Sequence, residues 1–203
     1  LSKVITDSPD DRTTIAQDLR NLIADPAIAS FDKTHILVAN YIWELPFFRD
    51  ADKLLYNLFG GWQLGGIYRA EAGTPLTVTI SPNRANSFFG GGQRPDLIAD
   101  PKGPRTIDQW YNPSAFALPA MNTFGNAGRS LVRGPGLNLC DFSIYKNFRI
   151  SETVRLQFRG ELFNALNHTN FSGVATTFAA TTYGRVTSAL EPRQVQFGLK
   201  LNF

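Results

Sequence analysis

Cysteine and histidine are scarce in this sequence, and each shortage excludes a class of site. Cys140 is the single cysteine, so the chain cannot form an intrachain disulfide framework. The two histidines, His35 and His168, are far apart and have no cysteine or carboxylate neighbours at metal-ligand spacing. We therefore expect no metal site, no cofactor and no Ser-His-Asp catalytic group, and we predict that the protein is not an enzyme.

Charged residues are few and evenly mixed in sign. They make up 18% of the chain, against about 25% in soluble domains. The 20 Lys and Arg residues are scattered among 17 Asp and Glu residues, which gives a formal charge of +3 without a basic tract. We expect no nucleic-acid partner.

Long apolar runs are absent as well. No segment approaches the ~20 apolar residues of a membrane-spanning helix, so any passage through a membrane would have to be as a β-barrel. What the sequence does contain is alternation of apolar and polar residues, bounded by Gly, Pro and Asn, which is typical of strands. The alternating segments are His35–Leu45, Gly60–Ile80, Leu137–Phe148, Thr153–Asn164 and Arg193–Phe203.

The phase of this alternation is well defined. In Thr153–Asn164, residues such as Leu156 and Phe158 form a face that carries no charge. If that face met lipid, a slip of one residue would expose charges to lipid at ~2–4 kcal/mol for each Lys or Arg. Segment Gly60–Ile80 keeps one phase throughout, which predicts a single strand of about twenty residues and roughly 65 Å.

Connections between these segments are of two kinds. A tight turn around Ser151–Glu152 joins two of them, whereas residues 81–135 form one loop of about 55 residues. This asymmetry is typical of outer-membrane barrels, which have short periplasmic turns and long extracellular loops. Segment Pro46–Phe59 is long and apolar for a periplasmic turn, and a position along the membrane interface, where aromatic belts lie, is one interpretation of it.

The predicted fold is therefore all-β, with about five antiparallel up-and-down strands forming the C-terminal part of a transmembrane outer-membrane β-barrel. Residues 1–32 are assigned to an extracellular loop segment with a short helix from about Thr13 to Ala24, and residues 33–203 to the barrel strands. Five strands cannot close a barrel by themselves, because single-chain outer-membrane barrels have at least eight strands. Because Leu1 replaces an initiator Met and no signal peptide is present, we expect the chain to be a fragment.

Parity along the strands also predicts which charged residues face the barrel lumen. These residues could pair across strands, hold a plug or contact a solute, and they are Arg69, Glu71, Arg155, Arg159 and Glu161. The Gly-rich segment Gly90–Asp96 lacks the Lys-Ser/Thr pair of a phosphate-binding loop, so we interpret it as a flexible external loop.

The last eight residues, 196–203, look like the β-signal that the barrel-assembly machinery reads. The pattern consists of a polar residue, a glycine two residues later, and hydrophobic residues at the third-last and last positions. The positions assigned to assembly are Gln196, Gly198, Leu201 and Phe203.

A wider resemblance covers most of the chain. Five stretches resemble TonB-dependent receptors of the type whose N-terminus carries a carboxypeptidase-regulatory-like domain: 34–41, 60–67, 73–78, 110–116 and 158–168. The resemblance implies a 22-stranded barrel with an internal plug. It also implies a place in the outer membrane of a Gram-negative bacterium and uptake of a scarce solute, such as a carbohydrate, peptide or chelate. The implied partners are outer-membrane lipid, the barrel-assembly machinery, an energy-coupling inner-membrane complex and the solute.

Two other functions fit the same patterns. An outer-membrane barrel with an adhesive or structural role would use its long loops rather than its lumen. A soluble all-β binding module would close its alternating faces on one another. A plug and an energy-coupling box favour the transporter, and a complete barrel without them favours the adhesive role.

Overall fold

The computed structural model describes residues 5–6, 16–18, 21, 26–81, 83–87 and 92–203. The chain divides into two compact units. The sheet unit comprises residues 36–70, 138–170 and 191–203, and the loop unit comprises residues 1–35, 71–137 and 171–190. The helix expected from Thr13 to Ala24 falls on a segment of which only residues 16–18 and 21 are described, so it lies outside the described residues.

The described elements are mostly strands, and the longest belong to the sheet unit. In chain order they are β1 (Ile5–Thr6), β2 (Ala27–Ile28), β3 (Ile36–Glu44), α1 (Lys53–Phe59), β4 (Trp62–Glu71), β5 (Pro75–Leu76), β6 (Asp96–Leu97), a 3-10 helix (Pro113–Ala115), β7 (Phe116–Ala117), β8 (Val132–Arg133), β9 (Leu137–Arg149), β10 (Arg155–Phe163), β11 (Phe171–Val174), β12 (Val186–Ala189) and β13 (Gln194–Asn202). No helix in the described part of the chain is long and apolar enough to cross a membrane.

One five-stranded sheet dominates, in the order β13-β10-β9-β4-β3. Consecutive members of this set are neighbours, which is the up-and-down arrangement, and β10 pairs antiparallel with both β9 and β13. The all-β fold class predicted from the alternation is confirmed. The sheet does not close on itself, and β3 and β13 are its two edges.

The strand register places the apolar residues of neighbouring strands on one face. Leu156 lies opposite Phe148 on one side and Leu201 on the other. Leu162 likewise lies between Phe142 and Val195. Since side chains alternate between faces along a strand, the remaining positions of these strands form a second, polar face.

The single long strand expected over Gly60–Ile80 is wrong. β4 ends at Glu71, and β5 pairs with β8 in a separate two-stranded sheet. The chain leaves the first sheet at Gly73, where a Cβ atom would lie only 1.9 Å from the Gly134 carbonyl oxygen. Pro75 has no N–H for the ladder of a central strand. Period-two alternation continues through this break because β5 also buries one side of its chain.

The loop unit has its own apolar core. Its fully buried members come from several short segments and pack together with Trp110, Phe178 and Tyr183. The buried members are Val78, Tyr111, Ala115, Phe116, Ala127 and Val132.

The Gly-rich segment expected to be flexible is instead packed where the structure describes it. Gln93 and Arg94 are buried, and Arg94 Nε donates a hydrogen bond to the Ala127 carbonyl oxygen at 2.7 Å. Gln93 Nε2 donates to Ser87 Oγ at 3.2 Å. Buried polar groups need such partners, so this part of the long connection is a folded element.

Among the described residues, every buried hydrophobic side chain belongs to the loop unit. The sheet unit has none, and large apolar residues on its apolar face are widely exposed. Phe197 is 70% exposed and Leu199 71% exposed. The sheet therefore buries no protein core of its own.

Candidate functional site: the polar face of the sheet

A groove of about 690 Å³ lies along the polar face of the sheet, and its lining also includes apolar residues such as Ile42 and Ile67. Four strands contribute side chains of different hydrogen-bonding character, including Gln63 on β4, Ser143 on β9, and Arg159 and Glu161 on β10. Because side chains alternate along each strand, one face can be lined with donors and acceptors while the other stays apolar. The groove can therefore hold water or a polar solute.

Side chains along this face form a ladder. Gln157 Nε2 donates to Asn147 Oδ1 at 2.9 Å, and Arg159 Nε donates to Gln157 Oε1 at 2.7 Å. The Arg159 guanidinium also lies 5.6 Å from the centroid of the Tyr145 ring. Gln157 and Asn147 form a cross-strand pair, as do Arg159 and Tyr145, and such pairs stabilise a sheet. The Arg159–Gln157 bond lies within β10 and helps to fix the long Arg159 side chain.

Two carboxylates also line the groove, and they differ in their hydrogen-bond partners. Asp141 Oδ1 accepts a hydrogen bond from the Asn164 backbone N–H at 2.8 Å, so it helps to shape the end of β10. Glu161 forms no hydrogen bond or ion pair with any described residue. A half-buried carboxylate beside a fixed guanidinium offers both charges to a bound solute.

A second, smaller groove of about 280 Å³ lies at the other end of the strands and contains Arg155. Arg49 and Arg149 line it as well, together with Glu44. The Arg149 guanidinium stacks 3.7 Å from the centroid of the Tyr56 ring. Arg155 is thus in a basic environment, separate from the groove of Arg159.

The other two residues predicted to face the lumen have different positions. Arg69 is exposed on β4 and lines neither groove. Glu71 is buried in the loop unit, where its carboxylate pairs with Lys33. Of the five predicted lumen residues, the structure brings only Arg159 and Glu161 together.

The residues assigned to the β-signal lie on or next to the edge strand β13. Gln196 is opposite Glu161, and Gly198 is opposite Arg159, so both belong to the polar face. Leu201 is opposite Leu156 on the apolar face. Phe203 follows the strand and is 96% exposed, so its side chain contributes little packing to the described structure.

Asparagines shape the turn that follows β10, a feature that the alternation of apolar and polar residues does not predict. Asn164 and Asn167 have φ angles of 49° and 51°, in the left-handed region that Asn tolerates better than most residues. Asn164 is 3% exposed, and its Nδ2 donates to the His168 carbonyl oxygen at 2.9 Å. Asn170 Nδ2 donates to the Asn138 carbonyl oxygen at 2.9 Å, which ties this turn to β9. The density of asparagines over residues 164–170 was the available signal.

Helix α1 accounts for the apolar segment between β3 and β4. The Asn57 side chain hydrogen-bonds with the backbone at the end of β9, as a neighbouring strand would. Its Nδ2 donates to the Arg149 carbonyl oxygen at 2.9 Å, and its Oδ1 accepts from the Arg149 N–H at 2.8 Å. Four helix residues, Leu54, Leu55, Leu58 and Phe59, are exposed. The segment is thus a fixed element with an apolar outer surface.

Lys146 interrupts the otherwise apolar face of β9, and it is only 3% exposed. Its ammonium group donates to the carbonyl oxygens of Gly60 and Tyr56 at the end of α1 and lies 4.9 Å from the centroid of the Trp62 ring. A cation at a helix C-terminus is favoured by the helix dipole, so the helix supplies the partners that a buried lysine needs.

No group of three or more His, Cys, Asp or Glu side chains that could hold a metal ion occurs in the described ranges. His168 is part of the asparagine turn, with its Nδ1 3.3 Å from Asn170 Oδ1.

Comparison with known proteins gives one match. A family model described as an outer membrane beta barrel domain matches residues 1–196. No curated protein matches the chain. No solved structure matches it either.

Proposed function

Since the chain belongs to the outer membrane beta barrel domain family and lies in the outer membrane of a Gram-negative bacterium, we propose that it forms part of the wall of a TonB-dependent transporter. The family is typically non-enzymatic. A barrel wall needs no reacting groups, and its chemistry is that of selective binding and passage. The soluble-module alternative loses its support, because the family is one of membrane barrels.

The observation that carries the proposal is the contrast between the two faces of the sheet. On the apolar face, Phe158 and Phe197 stack with ring centroids 5.9 Å apart, and Phe197 and Leu199 are exposed. No described residue of the sheet unit forms a buried apolar core with them. In water such a surface would be a site of aggregation, whereas in a bilayer it is the lipid-facing wall.

The groove on the opposite face supports a role in passage. Its volume of about 690 Å³ is that of a typical ligand pocket, and it carries the fixed Arg159 and the available Glu161. A lumen lined in this way discriminates among polar solutes by hydrogen bonding and charge. The stretches that resemble TonB-dependent receptors are what support energised uptake rather than a general barrel function.

The proposed orientation follows from the connections. The turn after β9 is closed by a hydrogen bond from the Ile150 N–H to the Val154 carbonyl oxygen at 3.0 Å. This tight turn and α1 join strands at the same end of the sheet, which we place on the periplasmic side. The connections between β4 and β9 and between β10 and β13 join these strands at their other ends, which we place on the extracellular side. The proposed partners are lipid, the barrel-assembly machinery acting on β13, the energy-coupling complex and the solute.

Uptake assays test this function. Cells of the source organism with and without the gene would be given radiolabelled oligosaccharides, oligopeptides and ferric chelates, each in the presence and absence of a protonophore. We expect gene-dependent entry of one solute class that the protonophore abolishes. Gene-dependent entry that is insensitive to the protonophore would show an open pore. Loss of surface attachment with no change in uptake would show the adhesive role.

A further inference from the structure

The loop unit contains a basic cavity that is separate from both grooves of the sheet. Its volume is about 260 Å³. Lys102, Arg105 and Arg133 line it, and no Asp or Glu of the described ranges does. A concave site with charges of one sign favours a ligand of the opposite sign.

An aromatic wall stands beside these cations. Trp110 lines the cavity, and its Nε1 donates a hydrogen bond to the Arg133 carbonyl oxygen at 2.8 Å. Its ring meets Phe171 edge to face, with centroids 6.2 Å apart and an interplanar angle of 79°. The indole is therefore held in one orientation, and it adds a large aromatic side chain to the lining of the cavity.

The three cations are not equivalent. Arg133 Nη2 lies 3.4 Å from Asp32 Oδ2, and its Nη1 donates to the Gly73 carbonyl oxygen at 3.2 Å, so its charge is partly compensated. Lys102 and Arg105 are exposed, and neither side chain has a hydrogen bond or ion pair with any described residue. These two side chains are available to bind an anion.

The segment that presents them is shaped in advance. Gly103 passes so close to Tyr111 that a Cβ atom there would lie 2.4 Å from the Tyr111 Cα. Arg105 has a φ angle of 59°, which side chains other than glycine rarely adopt. The turn that follows is closed by a hydrogen bond from the Gln109 N–H to Thr106 Oγ1 at 3.1 Å. Strained backbone of this kind concentrates at ligand-binding segments.

We propose that this cavity binds an acidic sugar residue, with its carboxylate at Lys102 and Arg105 and the apolar face of its ring on Trp110. Guanidinium and ammonium groups bind carboxylates through charge-assisted hydrogen bonds. The Trp110 wall favours a ligand that also has a flat apolar face, which an inorganic anion lacks. The inference rests on the proposed function only in making this sugar class the solute that is taken up.

Acidic sugars could come from soluble oligosaccharides or from the lipopolysaccharide of the same membrane. The carboxylate and the ring are common to both sources, so binding of the sugar and its origin are measured separately. A competition with purified lipopolysaccharide separates them: displacement of the soluble sugar assigns the site to membrane glycan, and no displacement assigns it to soluble glycan.

Calorimetry on the detergent-purified protein, produced from its native gene, tests the inference. The probes are trigalacturonate, a neutral galactose trisaccharide and inorganic phosphate. We expect trigalacturonate to bind at least tenfold more tightly than either of the others. Equal affinity for phosphate would overturn the inference in favour of a general anion patch. Equal affinity for the neutral sugar, or no binding at all, would overturn it as well.

Variants locate the site. Lys102→Gln and Arg105→Gln should each weaken trigalacturonate binding roughly tenfold, since each removes one charge-assisted contact. Arg185→Gln is the control, because it removes a loop cation that pairs with Asp108 outside the cavity, and it should leave affinity unchanged. All three side chains are exposed or weakly paired, so folding is retained. Binding of trigalacturonate needs no energised membrane. A failure to bind would therefore overturn this inference alone, and the proposed function would still be tested by protonophore-sensitive uptake.

Discussion

Lys146 and Gly60 connect the sheet to helix α1, because the Lys146 ammonium group donates a hydrogen bond to the carbonyl oxygen of the residue that ends the helix. The lysine is almost completely buried on a face that is otherwise apolar. Its charge is tolerated there because helix carbonyls and the rings of Trp62 and Phe148 surround it. The contact fixes α1 against the end of the sheet that we propose to be periplasmic.

Replacement of this lysine by a neutral side chain of similar length should destabilise the protein. In Lys146→Met the Gly60 carbonyl oxygen loses its charged donor, and we expect the free energy of unfolding to fall by about 1–3 kcal/mol. Urea unfolding of the detergent-refolded protein, followed by tryptophan fluorescence, measures this. Lys200→Met, at an exposed site on β13, is the control, and an equal effect at both sites would contradict the account.

Gly73 should not tolerate even a methyl group. A Cβ atom there would lie 1.9 Å from the Gly134 carbonyl oxygen, a backbone atom that cannot rotate away. We expect Gly73→Ala to lower the free energy of unfolding by about 1–3 kcal/mol. The matched change Gly198→Ala meets only Arg159 Cβ at 4.0 Å and should stay within about 0.5 kcal/mol of the parent. Similar unfolding curves for the two variants would contradict this close approach of the backbone.

Phe203 allows assembly to be separated from stability. Its side chain is 96% exposed, so Phe203→Ala should leave urea unfolding of the refolded protein unchanged. If the last residues act as the proposed β-signal, the same variant should reduce the amount of protein in isolated outer membranes several-fold. Normal membrane levels would remove the assembly role, and Lys200→Gln on the same strand is the control in both assays.

Two tyrosines in the loop unit should respond differently to loss of their hydroxyl groups. Tyr111 Oη donates to the Ala175 carbonyl oxygen at 2.9 Å, so Tyr111→Phe should destabilise the protein by about 0.5–1.5 kcal/mol. Within the described ranges, Tyr183 Oη is the buried side-chain oxygen without a hydrogen-bond partner. Tyr183→Phe should therefore be neutral or stabilising in the same unfolding assay, and a loss as large as that of Tyr111→Phe would contradict this geometry.

These tyrosines also predict how stability depends on pH. Burial raises the pKa of Tyr183 from 10.0 to about 12, and it raises the pKa of Tyr111 as well. The folded protein holds these protons more tightly than the unfolded chain does, so their contribution is complete below pH 10 and is lost as the pH rises toward 12. Unfolding measured from pH 9 to about 12 should show a decline that is smaller in Tyr183→Phe, and an identical decline would exclude Tyr183 as a cause.

Much of the sheet could be predicted from the sequence, because alternation reports which side of a strand is apolar. Strands β3, β9, β10 and β13 lie within a few residues of the expected segments. The error at Gly60–Ile80 has a clear cause: β5 alternates in the same phase as β4, and only the close approach of Gly73 to Gly134 shows the break. Alternation cannot report such backbone contacts.

The candidate site was less predictable, because the alternation along a strand tells which face of the sheet a side chain is on but not which residue it contacts. Arg159 and Glu161 share a groove, whereas Glu71 is paired with Lys33 in the other unit. The basic cavity around Trp110 depends on segments distant in sequence, including Lys102 and Arg133, and no local pattern brings these together.

The central claim is that the apolar face of the sheet contacts lipid. The most direct test is to measure how accessible each position of β10 is to lipid-soluble and water-soluble reagents. Single cysteines would be introduced from position 156 to 162 in a Cys140→Ala background, spin-labelled and reconstituted in bilayers, and their collision rates with oxygen and with a water-soluble nickel chelate measured. The account predicts oxygen exposure at Leu156, Phe158 and Leu162, and chelate exposure at Gln157, Arg159 and Glu161. If the first set were shielded from both reagents, the apolar face would pack against protein rather than lipid, and the barrel-wall account would be wrong.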